Sequence, residues 1–90
     1  MLELNATSQF RKDLKRCLKR GYDQGPLCAV IDTLRIPAPL PPENRDHRLS
    51  GSYAGHRECH IRPDWLLIYR VEGNALYLDR TGTHADLFSE

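Results

Sequence analysis

The spacing of apolar and polar residues changes halfway along this chain, from a helical period to the alternation of a strand. In the first half, apolar residues recur at intervals typical of one buried helix face: Phe10, Leu14, Cys17 and Leu18. Thr7 and Ser8 precede them as helix-capping residues, and Gly21 follows them as a helix stop. The pattern therefore predicts a first helix between Thr7 and Gly21.

A second helix is predicted from Pro26 to about Leu34, because proline suits a first helical turn and apolar residues again recur at helical spacing. Pro37 prevents its continuation. Three further prolines follow before Asp46, and this composition favours an extended, semi-rigid arm. We expect the arm to deliver His47 to a defined place.

The strands are predicted from alternation and from apolar runs between turn residues. Their expected ranges are 2–5, 56–62, 65–71 and 75–80, with Pro63 closing the second strand and Gly73-Asn74 forming a hairpin turn. The element order is β-α-α-β-β-β, which indicates an α+β fold with two N-terminal helices packed on a small, mainly antiparallel sheet. At 90 residues the chain has room for one domain, which we expect to span 1–90.

The formal net charge of +1 hides an uneven distribution of charge. Six of the 13 basic side chains fall in one stretch of the first helix: Arg11, Lys12, Lys15, Arg16, Lys19 and Arg20. Their spacing predicts two basic rows beside the apolar stripe, so we expect an almost wholly cationic exposed surface. Such a surface indicates a polyanionic partner, although a solvated helix face without a partner is the alternative interpretation.

The cysteines and the hydropathy pattern suggest where the protein works. Cys17, Cys28 and Cys59 are odd in number and form no close pair, so neither a disulfide framework nor a zinc ribbon is predicted. The chain shows neither the pattern of a signal peptide nor an apolar run long enough to span a membrane. We therefore expect reduced thiols and a cytoplasmic protein.

Histidines in the second half of the chain supply acid–base groups near neutral pH: His47, His56, His60 and His84. A zinc site would combine His60, Asp64 and His84 with Cys59. No spacing here matches a known ligand motif, so a metal-free role is favoured. Asp64 and Trp65 follow the bend at Pro63, where we expect a carboxylate and an aromatic face to project together.

Three blocks of sequence resemble those of a known toxin family. They are DHRLSG at 46–51, GHRECHIRPDWLLIY at 55–69 and RTGTHADLF at 80–88, and the basic helix adds FRKDLK at 10–15. In order and spacing these blocks are similar to the YafQ branch of the RelE/ParE toxin superfamily. The resemblance implies a bacterial type II toxin that cuts mRNA in the ribosomal A site without a metal or other cofactor. It also implies the two-helix, small-sheet fold of that superfamily.

The resemblance implies roles for individual residues as well. The catalytic set is His47, His60, Asp64 and His84, with Trp65 and Phe88 beside it for contact with RNA. Metal-free RNA cleavage needs a base for the 2′-hydroxyl and an acid for the leaving 5′-oxygen. We expect His84 to be the acid and His60 to act on the base side with Asp64, which orients an imidazole. His47 is a further candidate for base or phosphate ligand, and His56 has no counterpart in the set. The helix residues expected to contact RNA are Arg11, Lys12, Lys15, Arg16 and Lys19.

The partners implied by the resemblance are the ribosome with its mRNA and a cognate antitoxin, expected to be a dimeric ribbon-helix-helix protein. Operator DNA would be reached only through the antitoxin complex, and no membrane partner is expected. Two other functions remain as alternatives. One is a non-catalytic, ParE-like protein of the same fold that binds gyrase, and the other is a small metal- or nucleic-acid-binding module.

Overall fold

The computed structural model describes residues 1–88, and within them five strands form one sheet. The strands are β1 (Glu3–Ala6), β2 (His47–Arg48), β3 (Arg57–Arg62), β4 (Trp65–Glu72) and β5 (Ala75–Gly82). The α-helices of this range are α1 (Ser8–Lys19), α2 (Gly25–Arg35) and α3 (His84–Phe88). Residues 89 and 90 of the expected domain lie outside the described range.

The sheet order is β1-β5-β4-β3-β2, parallel between β1 and β5 and antiparallel elsewhere. This order confirms the predicted α+β fold with a mainly antiparallel sheet. The structure adds β2 and α3, which were not predicted, because elements of two and five residues are too short to show a period. None of the helices within residues 1–88 is long and apolar enough to cross a bilayer.

Helix α1 begins and ends where the sequence predicts. Thr7 Oγ1 accepts a hydrogen bond from the Phe10 amide at 3.0 Å, so the predicted cap is present. At the other end Gly21 has a φ of +88°, and the amides of Gly21 and Tyr22 donate back into the last turn at 3.0 and 3.2 Å. This Schellman motif needs the left-handed conformation that glycine adopts without strain.

The first five residues of β4 are buried on both faces of the sheet, which explains their nearly continuous apolar sequence. Helices α1 and α2 cover one face, where α1 packs on β5 and α2 on β3. The core between them includes Phe10, Cys17, Leu27, Val30, Cys59, Leu67 and Leu76. The opposite face carries a smaller apolar cluster of Leu66, Ile68 and Leu87, with Leu49, Tyr53 and Phe88 packed against it.

A buried carboxylate takes the place of an apolar residue on the inner side of α1. Asp13 is 1% exposed, whereas Leu18, which we expected on the buried stripe, is 37% exposed. Asp13 is buried because it covers the edge of β5, where β1 pairs only with residues 75–78. Beyond them the Thr81 amide donates to Asp13 at 3.2 Å, and Arg80 Nε donates to Asp13 at 2.7 Å. The predicted apolar stripe was therefore wrong at Leu18.

The proline-rich segment is less extended than predicted. Pro42–Asn44 form a 3₁₀ turn, and Arg45 reverses the chain with a φ of +48°. Asn44 Nδ2 donates to the His60 carbonyl at 2.7 Å, which holds the segment against β3. Side-chain contacts, more than the stiffness of proline, therefore deliver His47 to its place in β2.

We expect Asp13→Ala to lower the free energy of unfolding by about 3–5 kcal/mol, because it leaves the Arg80 charge and the Thr81 amide without their shared partner. Urea denaturation of the purified protein measures this loss. Asp32→Ala, on an exposed position of α2, is the matched control and should change stability by less than about 0.5 kcal/mol. Equal effects of the two substitutions would show that Asp13 does not hold the edge of β5.

Candidate active site

Strand pairing gathers the predicted histidines at one corner of the sheet. His47 lies directly opposite Glu58, and His60 follows two residues later on β3. Because directly paired residues share a face, and residues two apart on a strand do as well, these three side chains project together. His84 opens α3 directly after β5, and its ring centre lies 5.7 Å from that of His60.

Asp64 orients His84. Its Oδ1 accepts hydrogen bonds from His84 Nδ1 at 2.6 Å and from the His84 amide at 2.9 Å. These bonds, led by the one from the amide, lower the pKa of Asp64 below its usual value, so the carboxyl is ionised at neutral pH. An ionised carboxylate only accepts hydrogen bonds, so the shared proton belongs to Nδ1 and the Nε2 atom remains for chemistry.

We expected Asp64 to act beside His60. The structure corrects this expectation, because the histidine that Asp64 binds is His84. Strand β5 ends next to the start of β4, where Gly82 pairs with Leu66. This pairing brings residue 84, not residue 60, to the Asp64 carboxylate.

Backbone carbonyls orient the other two site histidines. His47 Nδ1 lies 2.7 Å from the Arg45 carbonyl, and His60 Nδ1 lies 3.2 Å from the Pro63 carbonyl. A carbonyl oxygen only accepts hydrogen bonds, so each Nδ1 carries the hydrogen that makes this contact. Each of the three histidines is therefore held in its orientation through Nδ1.

Glu58 is a functional candidate to which the sequence analysis gave no role. It is 5% exposed, and its Oε1 lies 3.5 Å from His47 Nε2 and 3.6 Å from His60 Nε2. A carboxyl group at this point can accept a hydrogen bond from whichever imidazole gains a proton. The signal was available in the alternation of β3, which places Glu58 on the same face as His60.

The two predicted aromatic residues differ in their exposure. Phe88 is half-buried, with its ring centre 6.5 Å from that of His84 and 5.8 Å from that of Tyr53. Trp65 is 2% exposed, and its Nε1 donates to Thr81 Oγ1 at 2.9 Å. The expectation that Trp65 presents an aromatic face was wrong, because it belongs to the side of the sheet that the helices cover.

Two other residues of the sequence hypotheses lie away from this corner. His56 precedes β3 instead of lying within it as predicted, and its Nε2 lies 3.1 Å from Asp79 Oδ2. Cys59 is fully buried in the core, where burial raises the pKa of its thiol to about 12. Successive residues of a strand face opposite ways, so Cys59 points into the core and away from His60, and it does not complete the alternative zinc site. Within residues 1–88, no group of three or more His, Cys, Asp or Glu side chains is arranged to hold a metal ion.

The cationic surface of α1 is smaller than predicted. Arg20 donates to both carboxylate oxygens of Asp86 at 2.7 and 3.0 Å. Arg16 lies 3.4 Å from Asp13 and 3.7 Å from Asp86, so this predicted RNA contact is engaged in intramolecular ion pairs. The exposed cations of α1 that form no ion pair with the rest of the described chain are Arg11, Lys12, Lys15 and Lys19.

Comparison with known proteins assigns this chain to a family. The model of the family described as the bacterial toxin of type II toxin-antitoxin system, YafQ, matches residues 2–89. The chain is also 40% identical over 87 residues to the mRNA interferase toxin YafQ of Escherichia coli strain K12, covering 96% of this chain and 95% of that protein. The chain belongs to the YafQ family of type II toxins.

Solved structures of relatives agree with this family membership. A copper-bound mutant toxin from Helicobacter pylori is 45% identical, with a TM-score of 0.94 over 98% of this chain and all of that one. The toxin of the E. coli DinJ-YafQ complex is 39% identical, with a TM-score of 0.89 over 98% of this chain and 99% of that one. The resemblance seen in the three sequence blocks is thereby confirmed.

Asp86 fixes the start of α3 and with it the place of His84. Its Oδ2 accepts from the Thr83 amide at 2.9 Å, and Thr83 Oγ1 accepts from the Asp86 amide at 3.1 Å, which is a capping box. Hydrogen bonds from Arg20 are the main cause that lowers the pKa of Asp86 well below its usual value. Gly82 leaves room for this carboxylate, since a Cβ there would lie 2.8 Å from Asp86 Oδ2.

We expect Asp86→Asn to lower stability at neutral pH by about 1–2 kcal/mol, because the ion pair is lost and the cap is weakened. The pKa of Asp86 is lower in the folded chain than the value of about 3.9 in the unfolded chain, so its stabilisation is complete above about pH 5 and decreases as pH falls through and below pH 4. Thermal melts at several pH values should therefore show wild type and variant converging towards about pH 2. A difference that stays constant down to that pH would mean that the charge of Asp86 contributes nothing.

Proposed function

We propose that this chain, as a single domain over residues 1–90, is an endoribonuclease toxin that cuts mRNA in the ribosomal A site. The observation that carries the proposal is the common orientation of His47, His60 and His84, each held through Nδ1 with Nε2 left for chemistry. The name of the E. coli relative, mRNA interferase toxin, supports RNA as the substrate.

In the proposed reaction His84 is the general acid. The P–O5′ bond breaks as the 2′-oxygen attacks phosphorus, and the leaving 5′-oxygen takes the proton from His84 Nε2. His84 Nδ1 keeps its own proton because the ionised Asp64 holds it. Asp64 is therefore a positioning residue, which maintains the tautomer and ring orientation that proton donation requires.

His60 is the base that we assign to the 2′-hydroxyl. The 5.7 Å between the ring centres of His60 and His84 places both imidazoles within reach of one phosphodiester. Glu58, 3.6 Å from His60 Nε2, then offsets the positive charge of the imidazole that has gained the proton. His47, on the other side of the same carboxyl group, is a second base or a phosphate ligand. The products are a 2′,3′-cyclic phosphate upstream and a 5′-hydroxyl downstream.

Positioning of the RNA falls largely to the ribosome in this proposal, because so small a site has few groups that can hold RNA in line for attack. Phe88 offers one stacking surface, worth about 1–3 kcal/mol per base. The α1 cations that form no ion pair within residues 1–88 would bind phosphates of ribosomal RNA: Arg11, Lys12, Lys15 and Lys19. That contact should weaken steeply with salt.

The proposed partners follow from the family. One solved relative is the toxin of a DinJ-YafQ complex, and we propose that a cognate antitoxin also neutralises this chain. We further propose a dimeric ribbon-helix-helix antitoxin that links the toxin to operator DNA. A gyrase-binding role without catalysis is less well supported, because it would leave the three oriented imidazoles without a use.

We expect His84→Gln to reduce mRNA cleavage by about 10²- to 10⁴-fold, because the leaving oxygen loses its proton donor. The side chain of His84 is 42% exposed, so the thermal stability of the variant should stay near that of wild type. Cleavage is measured by primer extension on message translated by purified ribosomes, and growth arrest is measured after induction in cells.

His56→Gln is the matched control, since His56 contacts Asp79 away from the catalytic corner, and it should cut at the wild-type rate. Undiminished cleavage by His84→Gln would exclude His84 as the acid. Growth arrest by the wild type and both variants without cut message would favour the gyrase alternative over the nuclease.

Removal of bound transition metal should leave cleavage unchanged, because the proposed steps use only side chains of the chain. The purified toxin is dialysed against a chelator, analysed for metal content and returned to ribosomes in magnesium buffer. The copper-bound relative from H. pylori makes copper and zinc the metals to measure. A stoichiometric metal whose removal abolishes cleavage, with recovery on its return, would contradict the metal-independent mechanism.

A further inference from the structure

A groove lies at one end of the sheet, on the β2 side of the proposed catalytic corner. Arg57, the first residue of β3, pairs with Tyr69, so the following residues of β4 extend past the end of β3. The groove has a volume of about 500 Å³, and Arg48, Arg57 and Arg70 are among its lining residues. Its position and its arginines point to a binding site for an anion.

Two of these arginines face each other across the β2–β3 ladder. Arg48 and Arg57 are direct register partners, and such partners place their Cβ atoms about 4.5–5.5 Å apart. Like charges in this arrangement destabilise an antiparallel pair. Arg48 is exposed, and its side chain makes no hydrogen bond or ion pair with any other part of residues 1–88. Within residues 1–88, no side-chain contact therefore stabilises the charge of Arg48.

The other cations at the groove already have carboxylate partners. Arg57 Nε donates to Asp46 at 3.1 Å, and Arg70 Nε donates to Asp79 at 3.0 Å. His56 Nε2 faces the same Asp79 at 3.1 Å, so it is a structural contact and not a ligand of the groove. Arg48 is thus the cation whose charge is uncompensated at this site.

We propose that the groove is a subsite for one RNA phosphate other than the scissile phosphate, with Arg48 as its principal ligand. The proposal rests on the function proposed above, since it extends the RNA path from His47 to its neighbour in β2. Successive side chains of a strand point to opposite faces, so the RNA would pass around the edge of β2, the outer strand of the sheet. A bound phosphate would offset the repulsion between Arg48 and Arg57.

The first test is a stability measurement with an internal control. Arg48→Gln should raise the Tm of the free protein at low salt, and the increase should fade as salt screens the repulsion. Arg62→Gln is the internal control. It removes an exposed arginine whose register partner on β4 is Trp65 and not a second cation, so it should not raise the Tm. A Tm of Arg48→Gln that is equal to or lower than that of wild type at low salt would overturn the argument from like charges.

The second test locates the phosphate. Single-stranded RNA with a 2′-deoxy residue at the scissile position is bound to wild type, Arg48→Gln and Arg62→Gln, with one phosphate at a time replaced by a neutral methylphosphonate. In wild type and Arg62→Gln, one replacement outside the scissile position should weaken binding several-fold. In Arg48→Gln that loss should disappear, and the slope of log affinity against log salt should be shallower by about 0.7.

The results separate this proposal from the proposed function. Binding with an Arg48-dependent phosphate but without cleavage of message on translating ribosomes would retain the subsite and refute the nuclease. Cleavage with identical phosphate scans in wild type and Arg48→Gln would retain the nuclease and refute the subsite. Absence of measurable RNA binding by the wild-type chain would also refute the subsite.

Discussion

The carboxylate of Asp13 is the contact on which the end of β5 and the placement of α3 depend, because it closes the part of the β5 edge that β1 leaves unpaired. A buried amide without an acceptor costs about 1–3 kcal/mol, and Asp13 removes that cost at Thr81. The same carboxylate binds Arg80, so α1 is tied to the last residues of β5. Helix α3 starts from this fixed end, and the ion pair of Arg20 with Asp86 holds it against α1.

The orientation of the three site histidines comes from hydrogen bonds made at the Nδ1 atom of each imidazole. Two of the rings use backbone carbonyls, and His84 uses the ionised Asp64. A neutral carbonyl orients a ring without adding charge, whereas a carboxylate also stabilises a positive ring. That difference matches the proposed division of roles between His60 as base and His84 as acid.

Parts of the surface carry charge that does not stabilise the fold. Helix α1 exposes several cations that form no ion pair with the rest of residues 1–88, and β2 and β3 oppose Arg48 to Arg57. Residues that lower the stability of the fold and make no compensating structural contact are typical of functional sites. By contrast, the acidic side chains of Asp13 and Asp86 do stabilise the fold, through ion pairs with Arg80 and Arg20.

Local signals in the sequence were sufficient to predict the bounds of α1, the β4–β5 hairpin and the mainly antiparallel α+β fold. Caps, glycine stops and periodicity act within a few residues, so they can be recognised without knowing the neighbours of an element. The tertiary structure alone decided that Trp65 is buried, that Leu18 is exposed and that Asp64 binds His84. Each of these depends on which strand edge or helix lies alongside, and the Asp64–His84 contact joins positions 20 residues apart. Residue types and their order were therefore enough to predict a histidine site, whereas the partner of each imidazole was set by the packing of β5 and α3 on the rest of the chain.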